Sequence, residues 1–189
     1  MSRRSQGGFS LLELLVALLV VVIITSLVTL NVGEGDREQR LQDQVRNIAA
    51  VSQFALDEAQ WRGMDYGLLL RQQLVEGEPM YAYSWRERRP EGWRRPETNV
   101  ELFEGDVLPA GTELELELDN LAVPEFAIEE EGEDAAPQVV FYASGEVTAG
   151  ALDLRRADSG DLDWRLEWDF LGRFKALPRG EEPEEFDEG

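Results

Sequence analysis

The sequence predicts an α+β protein in which one long N-terminal α-helix precedes a domain of antiparallel β-strands. Three features support this: an apolar run from Phe9 to Leu30, a helical stripe of apolar residues that ends near Gly63, and a series of short strand-like segments beyond it. Strands that follow one another without intervening helices form antiparallel sheets, and a sheet buries one face against another layer. We therefore expect the helix to pack on an antiparallel β-sheet or β-sandwich.

The apolar run has the length of a membrane-spanning helix. Its 22 residues from Phe9 to Leu30 would extend about 33 Å as an α-helix, close to the roughly 30 Å hydrocarbon core of a bilayer. Arg3 and Arg4 precede the run, and positive residues stay on the cytoplasmic side. The sequence therefore predicts a single-pass protein with a cytoplasmic N-terminus and its C-terminal domain across the membrane.

A second helical segment follows. Asn31 to Gly35 contains two glycines, which we expect to interrupt the helix, and Asp36 is a candidate N-cap for a new one. Gly63 is typical of a helix C-terminus. Between them the apolar spacing predicts one buried helical face, formed by Leu41, Val45, Ile48, Ser52, Ala55, Leu56 and Ala59.

Alternation predicts strands in the remainder of the chain. In the segment TELELEL, leucines at every second position indicate one buried face and glutamates one exposed face. The same argument places Trp164, Leu166, Trp168 and Phe170 on one face of a later strand. Further strands are predicted at YGLLLRQ, YAYSW, QVVFYA, EVTAGALDL and RFKAL.

The composition disfavours several functions. The formal net charge is −21, so the surface repels phosphate backbones and we expect no nucleic-acid partner. The chain has no histidine and no cysteine, which removes the commonest general base, the commonest zinc ligands and thiol chemistry. We therefore expect a protein without enzymatic activity and without a cofactor.

Glu13 is unusual because a carboxylate inside a membrane span is costly and normally has a charged partner. No Lys, Arg or His lies within the run. The stretch GGFSLLELLVALLVVVII resembles the N-terminal signal of type IV pilins and type II secretion pseudopilins: a basic leader ending in Gly8, then Phe9, then an apolar helix with Glu13 as its fifth residue. The resemblance implies cleavage after Gly8 by a prepilin peptidase, methylation of the Phe9 amine, and pairing of Glu13 with the Phe9 amine of a neighbouring subunit.

Segments further along the chain resemble one particular family of pilin-like proteins. IAAVSQFALDEAQWRGMDYGLLL, VVFYASGEVTAGALDL and WRLEWDFLGRFKAL are similar to corresponding segments of the GspH/FimT family of minor pseudopilins. This resemblance implies a pilin-like fold and a structural subunit near the tip of the type II secretion pseudopilus. It also implies an inner-membrane location with a periplasmic domain. The implied partners are the I, J and K components, the major pseudopilin, the peptidase and the inner-membrane assembly platform.

The sequence pattern and the resemblance together divide the chain into five parts: a cleaved leader (1–8), a transmembrane and assembly helix (9–30), an amphipathic helix (31–63), a periplasmic β domain (64–178) and an acidic tail (179–189). The tail is unusual for the family, and its acidic composition predicts that it is disordered. The sequence is also compatible with two other functions. One is a FimT-like minor pilin of a type IV pilus, and the other is a signal-anchored periplasmic binding domain or enzyme.

Two further clusters are candidate sites. The segment SWRERRPEGWRRP has the Arg and Trp composition of interface hot spots, and we interpret it either as a docking loop for an acidic neighbouring subunit or as a solvated hairpin. The docking residues would be Trp85, Arg86, Arg88, Arg89, Trp93, Arg94 and Arg95. Asp158, Asp161 and Asp163 are weak candidates for calcium ligands, because the EF-hand spacing is absent.

Overall fold

The computed structural model describes residues 11–119, 121–123, 126 and 135–181, and between residues 22 and 34 it describes the backbone alone. The chain divides into two compact units, residues 1–40 and residues 41–189. Helix α1 covers Leu11–Arg62. The described strands are β1 (Tyr66–Val75), β2 (Glu78–Arg89), β3 (Gly92–Arg94), β4 (Asp106–Val107), β5 (Thr112–Leu118), β6 (Leu121–Ala122), β7 (Val139–Phe141), β8 (Gly150–Arg156), β9 (Leu162–Trp168) and β10 (Phe174–Pro178).

The predicted interruption of the helix at Asn31 to Gly35 is wrong. The backbone of α1 is helical throughout this stretch, and Asp36 lies inside the helix rather than at an N-cap. A glycine costs about 1 kcal/mol in a helix interior, but helix already formed on both sides needs no new nucleation and tolerates that cost. The predicted stop at Gly63 is confirmed, since α1 ends at Arg62 and Gly63 has a φ of 64°.

The first sheet has the strand order β3-β2-β1-β7, and β4 also pairs with β2. The long hairpin of β1 and β2 is its centre, with Tyr66 opposite Glu87 and Val75 opposite Glu78. All its pairings are antiparallel. Gln138 continues the β7 edge with its side chain, because its amide exchanges two hydrogen bonds of 2.8 and 2.9 Å with the Leu70 backbone.

The second sheet has the order β10-β9-β8-β5-β6 and is also antiparallel. Leucines of β5 face leucines of β8, with Leu114 opposite Leu154 and Leu116 opposite Leu152. The alternation predicted from TELELEL is confirmed, because Leu114 and Leu116 are buried whereas the intervening Glu115 is exposed. One face of the second sheet therefore belongs to the core.

The predicted helical stripe forms the third side of the core. Each of its members is at most 1% exposed, and all of them except the polar Ser52 belong to one hydrophobic cluster with inward-facing residues of both sheets. Phe103, in the loop before β4, joins helix and sheet, since its ring contacts both Phe54 and Tyr66 at centroid distances of 5.7 and 5.2 Å. The α+β prediction, with an amphipathic helix packed on antiparallel sheets, is confirmed.

Phe170 departs from the prediction for the strand around Trp168. Strand β9 ends at Trp168, and Phe170 lies in the following turn with 59% of its side chain exposed. Trp164, Leu166 and Trp168 are buried as predicted. Side chains alternate between the two faces of a sheet only while the backbone is extended. Phe170 lies in the turn before Gly172, so it is no longer on the face that packs in the core.

The backbone at Gly105, just before β4, lies so close to β2 that a side chain there would clash. A Cβ at this position would lie 1.9 Å from the Tyr83 carbonyl oxygen and 2.7 Å from the Ser84 Cα. Backbone atoms cannot rotate away, so we expect Gly105→Ala to lower the free energy of unfolding by about 3 kcal/mol, at the upper end of overpacking costs. Urea unfolding of the full-length chain in detergent measures this.

Gly35→Ala is the matched control for that substitution. Nothing lies within 4 Å of a Cβ at Gly35, which is helical, so we expect a neutral or stabilising effect of up to about 1 kcal/mol. Equal effects of the two substitutions would contradict the steric argument.

Candidate functional site

The N-terminal assembly motif is described only in part. Gly8 and Phe9 lie outside the described residues, as do the side chains of residues 22–30 of the predicted membrane span. Glu13 lies in the first turn of α1 with its side chain exposed.

The start of α1 exposes apolar side chains on all its faces. Their exposed fractions range from 47% at Val20 to 80% at Leu11, and the set comprises Leu11, Leu12, Leu14, Leu15, Val16, Leu18, Leu19, Val20 and Val21. A helix that is apolar all round is stable only when lipid or other helices cover it. Within the part of the chain that the structure describes, no helix satisfies the length and hydropathy required of a membrane span.

The predicted docking segment forms the hairpin of β2 and β3, which we call the arginine hairpin (residues 84–96). Trp85 and Arg86 are 1% and 2% exposed, so they are core residues and their assignment to a docking surface is corrected. Alternate side chains of β2 face the core, and the Trp85 ring lies there with its centroid 5.9 Å from that of Phe103 and 5.8 Å from that of Phe141. Because these two side chains are buried, only residues in the outer part of the hairpin remain candidates for docking.

The outer part of the arginine hairpin contains the accessible charges. Arg88 lies over the Trp93 ring, with its guanidinium carbon 5.3 Å from the centroid, a cation–π geometry. Trp93 itself is 9% exposed, whereas Arg88, Arg94 and Arg95 are exposed. These exposed arginines are accessible to a partner.

A buried carboxylate, which the sequence did not indicate, lies beneath the hairpin. Glu87 is 0% exposed and accepts a 2.6 Å hydrogen bond from Arg89 Nε, while Arg89 also donates to Glu97 over 3.0 Å. Opposite Glu87 in the sheet register lies Tyr66, whose pKa is raised by burial. A run of charged residues usually predicts a solvent-exposed segment. Glu87 is buried because of the way β2 pairs with β1, and a single sequence does not show that pairing.

A second buried carboxylate, Asp153, is the centre of a group of ion pairs on the second sheet. Asp153 is 8% exposed and lies between two arginines, accepting from Arg155 Nη2 at 2.9 Å and from Arg165 Nη1 at 2.8 Å. Arg155 also donates to Glu115 at 2.7 Å, and this bond is the main cause of its raised pKa. These pairs link three neighbouring strands, β5, β8 and β9.

The calcium candidates do not converge. Asp163 pairs with Arg156 at 3.0 Å, while Asp158 and Asp161 are exposed in the turn between β8 and β9. Among the described residues, no three carboxylates are grouped so that they could hold a metal ion. Asp163 therefore acts as an ion-pair partner that closes the hairpin. Most of the predicted acidic tail, residues 182–189, lies outside the described residues.

Asp169 gives a pH prediction for the turn between β9 and β10. Its carboxylate accepts hydrogen bonds from Arg173 Nε at 2.6 Å and from the backbone N–H groups of Arg173 and Leu171, and these bonds lower its pKa. A lowered pKa in the folded state stabilises the fold above the unfolded value of about 3.9, and this contribution is lost as the pH falls through the folded pKa. We expect Asp169→Asn to destabilise the chain at pH 7 and to have a smaller effect at pH 3, measured by urea unfolding.

Asp158→Asn is the control for the pH experiment, since Asp158 is exposed in another turn. We expect it to leave stability unchanged at both pH values. An Asp169→Asn penalty of equal size at pH 7 and pH 3 would show that charge has no role in this turn.

The geometry defines a class of protein. The structure has a long N-terminal helix with exposed apolar side chains, followed by a domain of two antiparallel sheets packed on the C-terminal half of that helix, and this is a pilin-like architecture.

Comparisons with known proteins identify the family. Residues 3–29 match the prokaryotic N-terminal methylation motif, and residues 44–172, more than half of the chain, match the family described as Type II transport protein GspH. The chain therefore belongs to the GspH family. It is a membrane-anchored minor pseudopilin of type II secretion, and the family consists of structural subunits.

Individual relatives agree with this family. The chain is 26% identical over 190 residues to the type II secretion system protein H of Aeromonas hydrophila, covering 97% of this chain and 100% of the relative. It is 27% identical over 163 residues to the protein of the same description from Pseudomonas aeruginosa, covering 83% of this chain and 86% of the relative. The fold is similar to that of the minor pseudopilin EpsH from the type 2 secretion system of Vibrio cholerae, with a TM-score of 0.57 at 21% identity, covering 76% of this chain and 99% of that chain.

Proposed function

We propose that this chain is a subunit near the tip of the periplasmic pseudopilus, the fibre that moves folded proteins through the outer membrane. It would assemble with the I, J and K components and with the major pseudopilin, on the inner-membrane assembly platform. Before assembly it would cross the inner membrane once, with its N-terminus in the cytoplasm and its β domain in the periplasm. Arg3 and Arg4, which precede the apolar run, support this orientation.

The observation that carries the proposal is the combination of Glu13 with an N-terminal helix whose apolar side chains are exposed. Lateral packing of such helices removes apolar surface from water or lipid, and a charge inside the packed bundle requires an opposite charge. Cleavage between Gly8 and Phe9 would create that charge as a new amine, whose methylation keeps it cationic. The chemistry at this motif would therefore be performed on the chain by the prepilin peptidase.

The five parts of the chain would then have separate roles. Residues 1–8 would be the leader, 9–30 the membrane and assembly helix, 31–63 the helix that supports the β domain of residues 64–178, and 179–189 an acidic tail. The burial of the helical stripe from Leu41 to Ala59 supports the role of the third part. We expect no catalytic activity and no cofactor.

The exposed arginines of the hairpin would contact an acidic neighbouring subunit. Arg88 is held over Trp93 and Arg94 is exposed, so both present a charge from a rigid strand end. Arginines on such a surface form charge-assisted pairs with carboxylates and influence partner choice.

Co-purification from membranes tests the proposed function. With the full-length chain as bait, after brief cross-linking, we expect the I, J and K components to co-purify, and deletion of the gene to stop secretion of folded exoproteins. An Arg88→Gln/Arg94→Gln variant should recover less of its neighbour, whereas Arg179→Gln, an exposed arginine outside the hairpin, should recover the normal amount. Recovery of type IV pilus subunits instead, with normal secretion after deletion, would contradict the proposal.

A further inference from the structure

The hairpin of β1 and β2 extends beyond the strand that covers its outer side. Strand β1 pairs with β2 along all 10 of its residues, whereas β7 pairs only with residues 66–68. The turn between β1 and β2 consists of Glu76 and Gly77, whose φ values of 54° and 90° fit a type I′ turn. This tight turn keeps the two strands paired as far as Val75 and Glu78, so the outer edge of β1 remains an extended strand.

The Gln138 side chain marks the end of the covered part of this edge. It exchanges hydrogen bonds with the N–H and C=O groups of Leu70, so these two groups point away from β2. In an antiparallel ladder, the backbone groups of every second residue point to the same side. The N–H and C=O groups of Gln72 and Leu74 therefore face the same outer edge. None of the described residues forms a hydrogen bond with these groups of Gln72 and Leu74.

The described residues that precede β7 do not continue along this edge. Residues 135–137 are not part of a strand. Pro137 lies over the face of the sheet at Gly67, where an added Cβ would be 2.2 Å from the Pro137 Cγ. The chain therefore reaches β7 across the sheet face, and the Gln138 side chain takes the place of a longer strand.

This edge lacks the features that usually protect exposed strands. Edge strands are normally short, or they carry lysine or proline, which discourages the pairing of another strand. Among the described strands, β3, β4, β6 and β7 have only two or three residues each, and β10 contains Lys175 and Pro178. The β1 edge from Gln72 to Val75 has neither residue type, and Leu74 is 61% exposed. It is therefore suited to pairing with a further strand.

We propose that an extended strand of a neighbouring pseudopilin pairs with β1 at residues 72–75 and lengthens the first sheet. The occupant is identified by the backbone chemistry, because N–H and C=O groups that recur at every second residue along one edge are matched by another extended backbone. Leu74 would supply an apolar cross-strand contact to the added strand. The inference rests on the proposed function, which supplies the neighbouring subunit.

Leu74→Pro tests the strand pairing. Proline at position 74 removes an N–H group that faces the outer edge and takes no part in the ladder with β2, so the fold is retained. We expect the ratio of this chain to the major pseudopilin in purified fibres to fall roughly tenfold, as for the loss of a backbone hydrogen bond. The urea midpoint of the full-length chain in detergent should stay unchanged.

Ala176→Pro is the matched control on another edge. The Arg179 N–H bonds the Asp163 carbonyl, so alternation along β10 directs the Ala176 N–H away from β9 and toward the open edge. This variant removes the same kind of group from the edge of β10, and we expect normal incorporation into fibres. An equal loss for both variants would show that proline, and not the β1 edge, causes the defect.

Hydrogen exchange of the Gln72 and Leu74 amides distinguishes the occupants. We expect roughly tenfold slower exchange in fibres than in the full-length chain in detergent. Slow exchange already in detergent would assign the edge to the same chain, and a dimer in detergent that Leu74→Pro dissociates would assign it to a second copy; either result overturns the proposal. If the native and Leu74→Pro chains enter fibres equally, this inference fails and the proposed function stands. Absence of the native chain from fibres would refute both.

Discussion

Replacing Glu13 with leucine is expected to yield a subunit that is inserted, cleaved and methylated normally but is nearly absent from assembled pseudopili. Glu13 lies in the first turn of a helix surrounded by exposed leucines and valines, which become buried when helices pack. Leucine suits that environment, so insertion is not impaired. The neighbouring Phe9 amine, however, would remain buried without its counter-charge, which costs about 3–5 kcal/mol, or on the order of a hundredfold or more in incorporation.

Two controls separate charge from packing at this position. Glu13→Gln keeps nearly the shape of the side chain and removes its charge, so we expect the same assembly defect as with leucine. Leu14→Ala alters a neighbouring exposed residue and leaves the charge intact, so incorporation should be largely retained. The measurement is the ratio of this chain to the major pseudopilin in sheared, purified fibres. Normal incorporation of the leucine variant would refute the assembly role of Glu13.

Trp85→Ala is expected to remove a large part of the stability of the β domain. Trp85 is 1% exposed and its ring contacts both Phe103 and Phe141, so alanine leaves a cavity at the junction of the loop before β4 with the sheet. Truncation of a buried tryptophan costs about 3–5 kcal/mol, against a total stability of about 5–15 kcal/mol for a typical domain. Urea unfolding of the full-length chain in detergent, followed by circular dichroism, measures this loss.

The exposed Trp61 and a conservative change at Trp85 are the controls. Trp61 is 81% exposed, so Trp61→Ala should change the free energy of unfolding by less than about 0.5 kcal/mol. The Trp85 Nε1 atom is buried without a hydrogen-bond acceptor among the described residues, and Trp85→Phe removes that group while keeping an aromatic ring. We therefore expect Trp85→Phe to cost much less than Trp85→Ala. A similar loss for Trp61→Ala and Trp85→Ala would contradict the packing described for the core.

Periodicity predicted the parts of the fold in which one face of an element is buried. The stripe from Leu41 to Ala59 repeats with the helical period, and Leu114 and Leu116 repeat with the period of a strand. Such patterns are local, because burial of one face depends only on the geometry of the element itself. The helix through Asn31 to Gly35 was missed because helix propensity is a weak local preference that the flanking turns override.

The sequence could not show which charged residues are inside. Arg86, Glu87 and Asp153 read as surface residues in a chain with a net charge of −21, yet all three are less than 9% exposed. Their burial depends on cross-strand neighbours: Asp153 is opposite Glu115 and Arg165, and Glu87 is opposite Tyr66. Strand register is a non-local property, so only the folded structure separates the buried part of the arginine hairpin from its accessible part.

The mass of the mature protein tests most directly whether the chain is processed as a pseudopilin. Intact-mass spectrometry of the full-length protein, extracted from the membranes of cells that contain the prepilin peptidase, should show a chain that begins at Phe9, lacks residues 1–8 and carries one added methyl group. The same protein from cells without the peptidase should begin at Met1 and be unmethylated. A chain that keeps its leader in both strains, or that is cleaved at a bond other than Gly8–Phe9, would contradict this processing.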